Sequence, residues 1–274
     1  MLKKNEEYIV DIIDNGYQGE GIARIDGVTI FVDQAILGEK IKIKIIKVMS
    51  GFCYGKILEI LKESKNRRGI DCNTYKMCGG CDLRHIEYQE TLNIKREVIK
   101  NCIYKALKKE IKVEDTIGME KPLHYRNKLQ YPIGMNENGE PIMGVYAGRS
   151  HDIVETHECF IQNKVCQDIA NDIFEFIKGH KISAYNEQTL KGTVRHIIVR
   201  IGIKTGEILV TIVVNDNNFK KEKELIELLT NKYKEIKSIV KNINNKNTNV
   251  ILGDKEEIIY GKGYIYDVIR RLQI

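Results

Sequence analysis

The sequence predicts an α+β, multidomain protein: an N-terminal OB-like five-stranded β-barrel followed by a mixed α+β central domain. Three observations carry this expectation. The first sixty residues hold five short strand-like runs, EYIVDI, GIARI, VTIFV, EKIKIKIIKV and YGKILEI, parted by turns containing Gly or Asp. A polar, basic stretch, SKNRRG from Ser64 to Gly69, then interrupts the pattern. Beyond it, amphipathic helical segments alternate with strands. The expected boundaries are a barrel over 1–62, a linker over 63–70, a central domain over 71–265 and the start of a further connection over 266–274.

Each element has a local reason. In EKIKIKI the alternation is strict, so Ile41, Ile43 and Ile45 share one face and Lys40, Lys42 and Lys44 the other. Such a lysine ladder can lie along a phosphate backbone, or can be a solvated face that blunts a sheet edge. Gly16, Gly19 and Gly21 in GYQGEGIAR resemble a dinucleotide fingerprint only superficially. That motif needs a helix directly after it, and IARIDGVTIFV is strand-like, so these glycines read as turn and barrel-bend residues.

The segment YQETLNIKREVIKNCIYKALKK predicts a helix over about 88–108, with Leu92, Val98, Ile99, Cys102, Ile103, Ala106 and Leu107 inward. YRNKLQYPIG, PIMGVYA and HDIVE follow as strands. NKVCQDIANDIFEFIKG is a helix with Cys166 on its inner face, ending near Gly179. TVRHIIVRIGI and GEILVTIVVN form a hairpin across Lys204–Gly206, KKEKELIELLTNKYKE is an amphipathic helix, and EIIYGKGYIYDVI returns to strand.

Composition narrows the function classes. The chain is 42% hydrophobic and 30% charged, which reads as globular rather than disordered. No apolar run reaches the length of a membrane span, and MLKKNEEYIVDII lacks the uninterrupted apolar core of a secretory signal, so the expectation is a cytoplasmic protein with no membrane partner. A net charge of +6 suits a nucleic-acid partner without deciding for one.

The most informative stretch is CNTYKMCGGCDLRHIEY. It places Cys72, Cys78 and Cys81 close together, with Gly79 and Gly80 leaving room for tight backbone around a bulky group. Cys159 in THECFIQN is the candidate fourth ligand, because Cys102 and Cys166 lie on helix inner faces and Cys53 in the barrel. Four thiolates hold either zinc or a 4Fe-4S cluster, and His85, His151 and His157 are alternative zinc ligands. Reduced, unligated thiols remain the plain alternative.

Taken in order, CNTYKMCGGCDLRHIEY, YRNKLQYPIG, GRSHDIVETHECFIQ, VRHIIVR, GEILVTIVV and TNVILG resemble the bacterial S-adenosylmethionine-dependent RNA uracil-5 methyltransferases over nearly the whole chain. The best match is the subgroup with a TRAM barrel and a 4Fe-4S cluster, of the 23S ribosomal RNA type. The resemblance implies a cluster on Cys72, Cys78, Cys81 and Cys159, an RNA-binding barrel, and RNA as partner, ribosomal ahead of transfer RNA. RNA contacts are expected from Arg126, Asn127 and Lys128, whose cations and amide lie beside Tyr125 and Tyr131, and from Lys40, Lys42, Lys44, Arg149 and His151. The same family carries a Rossmann-like domain with a Gly-rich cofactor turn, a nucleophilic cysteine before Asn-Pro, and a glutamate base. No Cys-Asn-Pro occurs here, so no catalytic or S-adenosylmethionine-binding residue is assigned. The expectation is that the methyltransferase domain is missing and that these residues alone are catalytically inactive: the RNA-recognition and iron-sulfur portion of the enzyme, or alternatively a stand-alone non-catalytic RNA-binding iron-sulfur protein.

Overall fold

The computed structural model describes residues 2–148, 150–217, 219–270 and 272–273. The chain divides into two compact units, Met1–Tyr75 with Cys81–Glu120, and Lys76–Gly80 with Lys121–Ile274. The expected fold class needs correction. The architecture is sheet-rich, with fifteen strands to three helices among the described residues, and the barrel sheet counts six strands rather than five.

In the first unit the strands are β1 (Glu7–Asp11), β2 (Asp14–Asn15), β3 (Gly21–Ile25), β4 (Val28–Val32), β5 (Lys40–Val48) and β6 (Phe52–Lys62), in the sheet order β1-β5-β6-β4-β3-β2. The sixth strand arises because the first run breaks at Ile12 and Ile13. Its early part pairs with β5 and its end with β3. At the break, the Ile12 N–H donates to the Glu39 carbonyl (2.8 Å) and the Ile13 N–H to the Ile22 carbonyl (2.9 Å), so one bent run joins both edges and closes the sheet. Sequence periodicity does not register such a change of partner.

The barrel interior is apolar as the alternation requires: Ile30, Val32, Ile41, Ile43 and Ile45 are fully buried. Gly55 belongs there for steric reasons, since a Cβ would lie 3.2 Å from Ile43 Cδ1 and 3.3 Å from Ile30 Cγ2. Gly19 has φ +89°, a turn conformation that favours glycine, consistent with a bend rather than a nucleotide loop.

Glu39 is fully buried beneath the barrel. Its carboxylate accepts from Arg67 Nε (2.6 Å) and Nη2 (2.8 Å) and from the backbone N–H of Ile36 (2.9 Å) and Ser64 (3.3 Å). Burial pushes its pKa up, but Arg67 and these donors outweigh burial and hold it below the usual carboxylate range.

Helix α1 (Tyr88–Leu107) has the expected bounds but not the expected packing. Only Thr91, Leu92 and Ile94 are buried, whereas Ile99 (52% exposed), Cys102 and Leu107 face outward. The reason is local: the small cluster of Ile36, Ile86 and Ile94, with Leu83 and Val98 beside it, covers only the first turns of the helix.

The second unit is built on a sheet ordered β13-β12-β11-β10-β7-β8-β9. Its strands are β7 (Lys128–Met135), β8 (Pro141–Tyr146), β9 (Ile153–Glu155), β10 (Val194–Ile201), β11 (Ile208–Val214), β12 (Ile236–Ile243) and β13 (Lys255–Gly261). All neighbours are antiparallel except β11 and β12, which run parallel and are joined through helix α3 (Glu222–Lys232). Helix α2 (Lys164–Gly179) is capped by the Asn163 side chain, which accepts from the Val165 N–H (3.1 Å). The helices and the sheet share a core in which Tyr131, Ile197, Val199, Val210 and Ile212 meet Ile169, Ile173, Phe174 and Leu229. Gly144 sits where a Cβ would lie 1.9 Å from the Val154 carbonyl oxygen, so β8 and β9 pair only around a glycine. A short pair, β14 (Val268–Ile269) and β15 (Leu272–Gln273), ends the described chain. No helix of the described chain is long and apolar enough to cross a membrane.

Candidate nucleic-acid interface

In the second unit, Tyr125, Arg126, Asn127 and Lys128 lead into β7 and are all exposed. The Arg126 N–H donates to the Ile161 carbonyl (3.0 Å), and the Asn127 carbonyl accepts from the Ile201 N–H (2.9 Å). The backbone is thus held while the side chains remain in solvent. Register adds a residue that the sequence reading missed: Arg200 on β10 lies directly opposite Lys128 on β7. Like charges opposite one another destabilise a strand pair, and a phosphate between them relieves that repulsion. The two lie 72 positions apart in the chain, so only strand pairing reveals the couple.

His151 is exposed, with its ring 5.3 Å from that of Tyr146 and its Nδ1 3.8 Å from Glu187. Tyr146 also reaches inward, its hydroxyl 3.2 Å from His196 Nε2. Burial first, and then the neighbouring Arg195 cation, push His196 down to about 4, so it is neutral near pH 7. Arg149 lies outside the described residues.

In the barrel the lysine ladder points outward as expected, but it is not uniformly available. Lys42 is paired with Glu7 at 2.8 Å, and Glu59 stands opposite it on β6. Lys44 faces Glu7 on one side and Lys56 on the other, and Lys40 is exposed between Asp11 and Lys62.

The cysteines fall into three environments. Cys53 and Cys166 are buried, Cys102 is exposed, and Cys72, Cys78, Cys81 and Cys159 are all intermediate. In the first unit, Cys72 Sγ lies 3.4 Å from Thr74 Oγ1, and Cys81 is near Tyr75, whose hydroxyl burial pushes up to about 12. In the second unit, the Gly80 N–H donates to Cys78 Sγ (3.3 Å). The Tyr131 hydroxyl is buried without a hydrogen-bond partner. Burial raises its pKa, and the neighbouring Cys159 and Cys78 raise it further. An orphaned donor beside two thiols suits thiolate ligands, so the donor chemistry fits a cluster. Among the described residues, however, no three or more His, Cys, Asp or Glu side chains converge as a metal-binding group. His85, an alternative zinc ligand, is instead buried with Nδ1 2.7 Å from the Tyr75 hydroxyl, and His157 is exposed beside Glu155 (3.1 Å).

Residues 2–58 match the TRAM domain family. The chain is 44% identical over 271 residues to an uncharacterized RNA methyltransferase of Clostridium acetobutylicum, covering 98% of this chain and 59% of that protein. It is 41% identical over 268 residues to one from Clostridium tetani (98% and 58%) and 39% identical over 267 residues to one from Staphylococcus aureus (97% and 59%). The similarity to these RNA methyltransferases runs along nearly the whole of this chain. Its fold matches the Pyrococcus abyssi tRNA (uracil-54, C5)-methyltransferase solved with S-adenosyl-L-homocysteine, at a TM-score of 0.68 and 21% identity over 96% of this chain and 58% of that one.

These matches correct the expectation of a catalytically inactive remnant whose methyltransferase domain is missing, together with its stand-alone non-catalytic alternative. That expectation rested on the absence of the Gly-rich cofactor turn, the Cys-Asn-Pro and the glutamate base that the resemblance implies. The alignment to methyltransferases instead takes in 98% of the chain. The chain spans about 59% of the length of the curated relatives it matches.

Proposed function

We propose that the protein methylates C5 of uridine in RNA, with S-adenosylmethionine as methyl donor. The observation that carries this reading is the 44% identity to an RNA methyltransferase over 98% of the chain, combined with a TRAM domain at residues 2–58. RNA contacts are proposed at Arg126, Asn127 and Lys128, joined by Arg200, and at Lys40, Lys42, Lys44, Arg149 and His151. The proposed substrate is 23S ribosomal RNA, supported by the resemblance of the cysteine and YRNK motifs. A transfer-RNA substrate is the second reading, favoured by the fold likeness to a tRNA uracil methyltransferase. The proposed location is the cytoplasm, where either RNA is met.

Deleting the gene and mapping 5-methyluridine in 23S and transfer RNA by mass spectrometry tests both readings. Loss of the mark from 23S RNA alone supports the first, and loss from transfer RNA alone the second. Unchanged 5-methyluridine in both overturns the reaction.

We further propose that Cys72, Cys78, Cys81 and Cys159 hold a 4Fe-4S cluster. Support comes from their spacing, from their shared intermediate exposure, and from the orphaned Tyr131 hydroxyl beside two of them. When bound, the group supplies a covalent cross-link between distant chain segments. Anaerobic purification of the protein should give a brown sample with iron and broad absorbance near 400 nm. A colourless, iron-free product overturns the assignment.

A further inference from the structure

The outer face of the barrel carries a feature that the lysine ladder does not explain. Phe31, Phe52 and Tyr54 form a cluster with ring centroids 5.5 to 6.0 Å apart. Strand pairing creates it, since β4 and β6 run parallel with Phe31 opposite Tyr54 and Thr29 opposite Phe52. Phe52 stands at 81° to Phe31 and 80° to Tyr54, and the other two rings are tilted by 40°. None of the three pairs is stacked face to face, so ring faces remain for a planar ligand. Tyr54 is 37% exposed despite its central strand, and Phe31 and Phe52 are half-buried.

The charges around the rings identify the ligand. Three cross-strand rows cover this face. Arg24, Thr29 and Phe52 make one row; Ile22, Phe31, Tyr54 and Lys47 the next; Lys56, Lys44 and Glu7 the third. Arg24, Lys47 and Lys56 are exposed, and two acids fall in these rows: Glu7, which is ion-paired with Lys42, and Asp14, which stands opposite Ile22 at the end of the second row away from Lys47. Aromatic rings framed by cations suit a chain that alternates flat bases with phosphates. A duplex hides its base faces in its own stack, whereas a single strand offers them.

We infer that Phe31, Phe52 and Tyr54 form a stacking platform for unpaired bases of single-stranded RNA, with Arg24, Lys47 and Lys56 holding the flanking phosphates. This rests on the RNA-binding part of the proposed function and adds the face, the strandedness and the residues. The platform selects an unfolded loop or single-stranded stretch of the substrate.

The test is binding of the full chain to a fluorescein-labelled oligouridine and to a blunt RNA duplex of equal length, read by fluorescence anisotropy over a salt series. The wild type should prefer the single strand. The triple variant F31L/F52L/Y54L keeps apolar area but removes the π-faces. It should lose affinity for oligouridine by at least about tenfold, with its salt slope and duplex binding unchanged. Lys47→Gln with Lys56→Gln should instead flatten the salt slope for both ligands. Circular dichroism and thermal melts establish folding, and Tyr54→Leu alone serves if the triple variant unfolds. Equal wild-type affinity for duplex and single strand, or folded leucine variants that bind oligouridine as well as wild type, would overturn the platform. Loss of binding in these variants alongside unchanged 5-methyluridine in the gene deletion would leave the platform standing and remove only the reaction.

Discussion

Strands β5 and β11 show how differently the two units use a strand. In β5, KIKIKIIKV, the three isoleucines at 41, 43 and 45 are fully buried while the lysines between them reach solvent. In β11, ILVTIVV, five of seven residues are buried and none carries a charge. The barrel encloses its own core, so a strand there needs only one apolar face. Strand β11 lies between β10 and β12 and shares a core with residues of helices α2 and α3, and its composition follows. The comparison teaches that a barrel strand leaves its second face in solvent, whereas β11 is largely buried and the second unit exposes cations such as Lys128 and Arg200 towards the ends of its strands.

The comparison is best broken by substitutions confined to one unit, read by hydrogen exchange in each. Gly144→Val should have the largest effect, because its Cβ meets the Val154 carbonyl at 1.9 Å. A loss above about 4 kcal/mol is expected in the second unit, with protection of the barrel strands retained. Next is Glu39→Ala, which leaves the largely buried Arg67 unpaired and should cost the first unit about 3–5 kcal/mol. Equal loss of protection in both units after either change would show that they unfold as one.

Acid should affect both units through one histidine each. His85 is pushed down to about 4 by burial first and by Arg67 second, and His196 to about 4 by burial and Arg195. Each folded pKa lies below the ordinary value of about 6.5. The stability tied to the neutral ring is therefore complete above pH ~6.5 and is lost progressively as pH falls toward about 4. His85→Gln should flatten the denaturation midpoint against pH in the barrel alone, and an unchanged slope there would assign the acid sensitivity elsewhere. Smaller still, Asn163→Ala should cost the second unit about 1 kcal/mol through the lost cap, measured by urea unfolding. Lys42→Gln should leave barrel stability nearly unchanged, because its pair with Glu7 is solvent-exposed and screened. A larger effect of Lys42→Gln than of Asn163→Ala would reverse the proposed order.

The sequence by itself determined the strand alternation of the barrel, the bounds of α1 and α2, the β10–β11 hairpin and the unusual cysteine spacing, because each is a pattern within a few neighbouring residues. Helix α1 shows where that reasoning ends. Its apolar spacing is real, but whether a stripe is covered depends on what stands opposite, and only its first turns meet the cluster around Ile36 and Ile86. The tertiary structure alone decided the bent first run that closes the barrel, the bond from Arg67 to Glu39, the cation pair of Lys128 with Arg200, and the meeting of Phe31 with Phe52 and Tyr54. All four join residues that are remote along the chain, and strand register rather than composition brings them together.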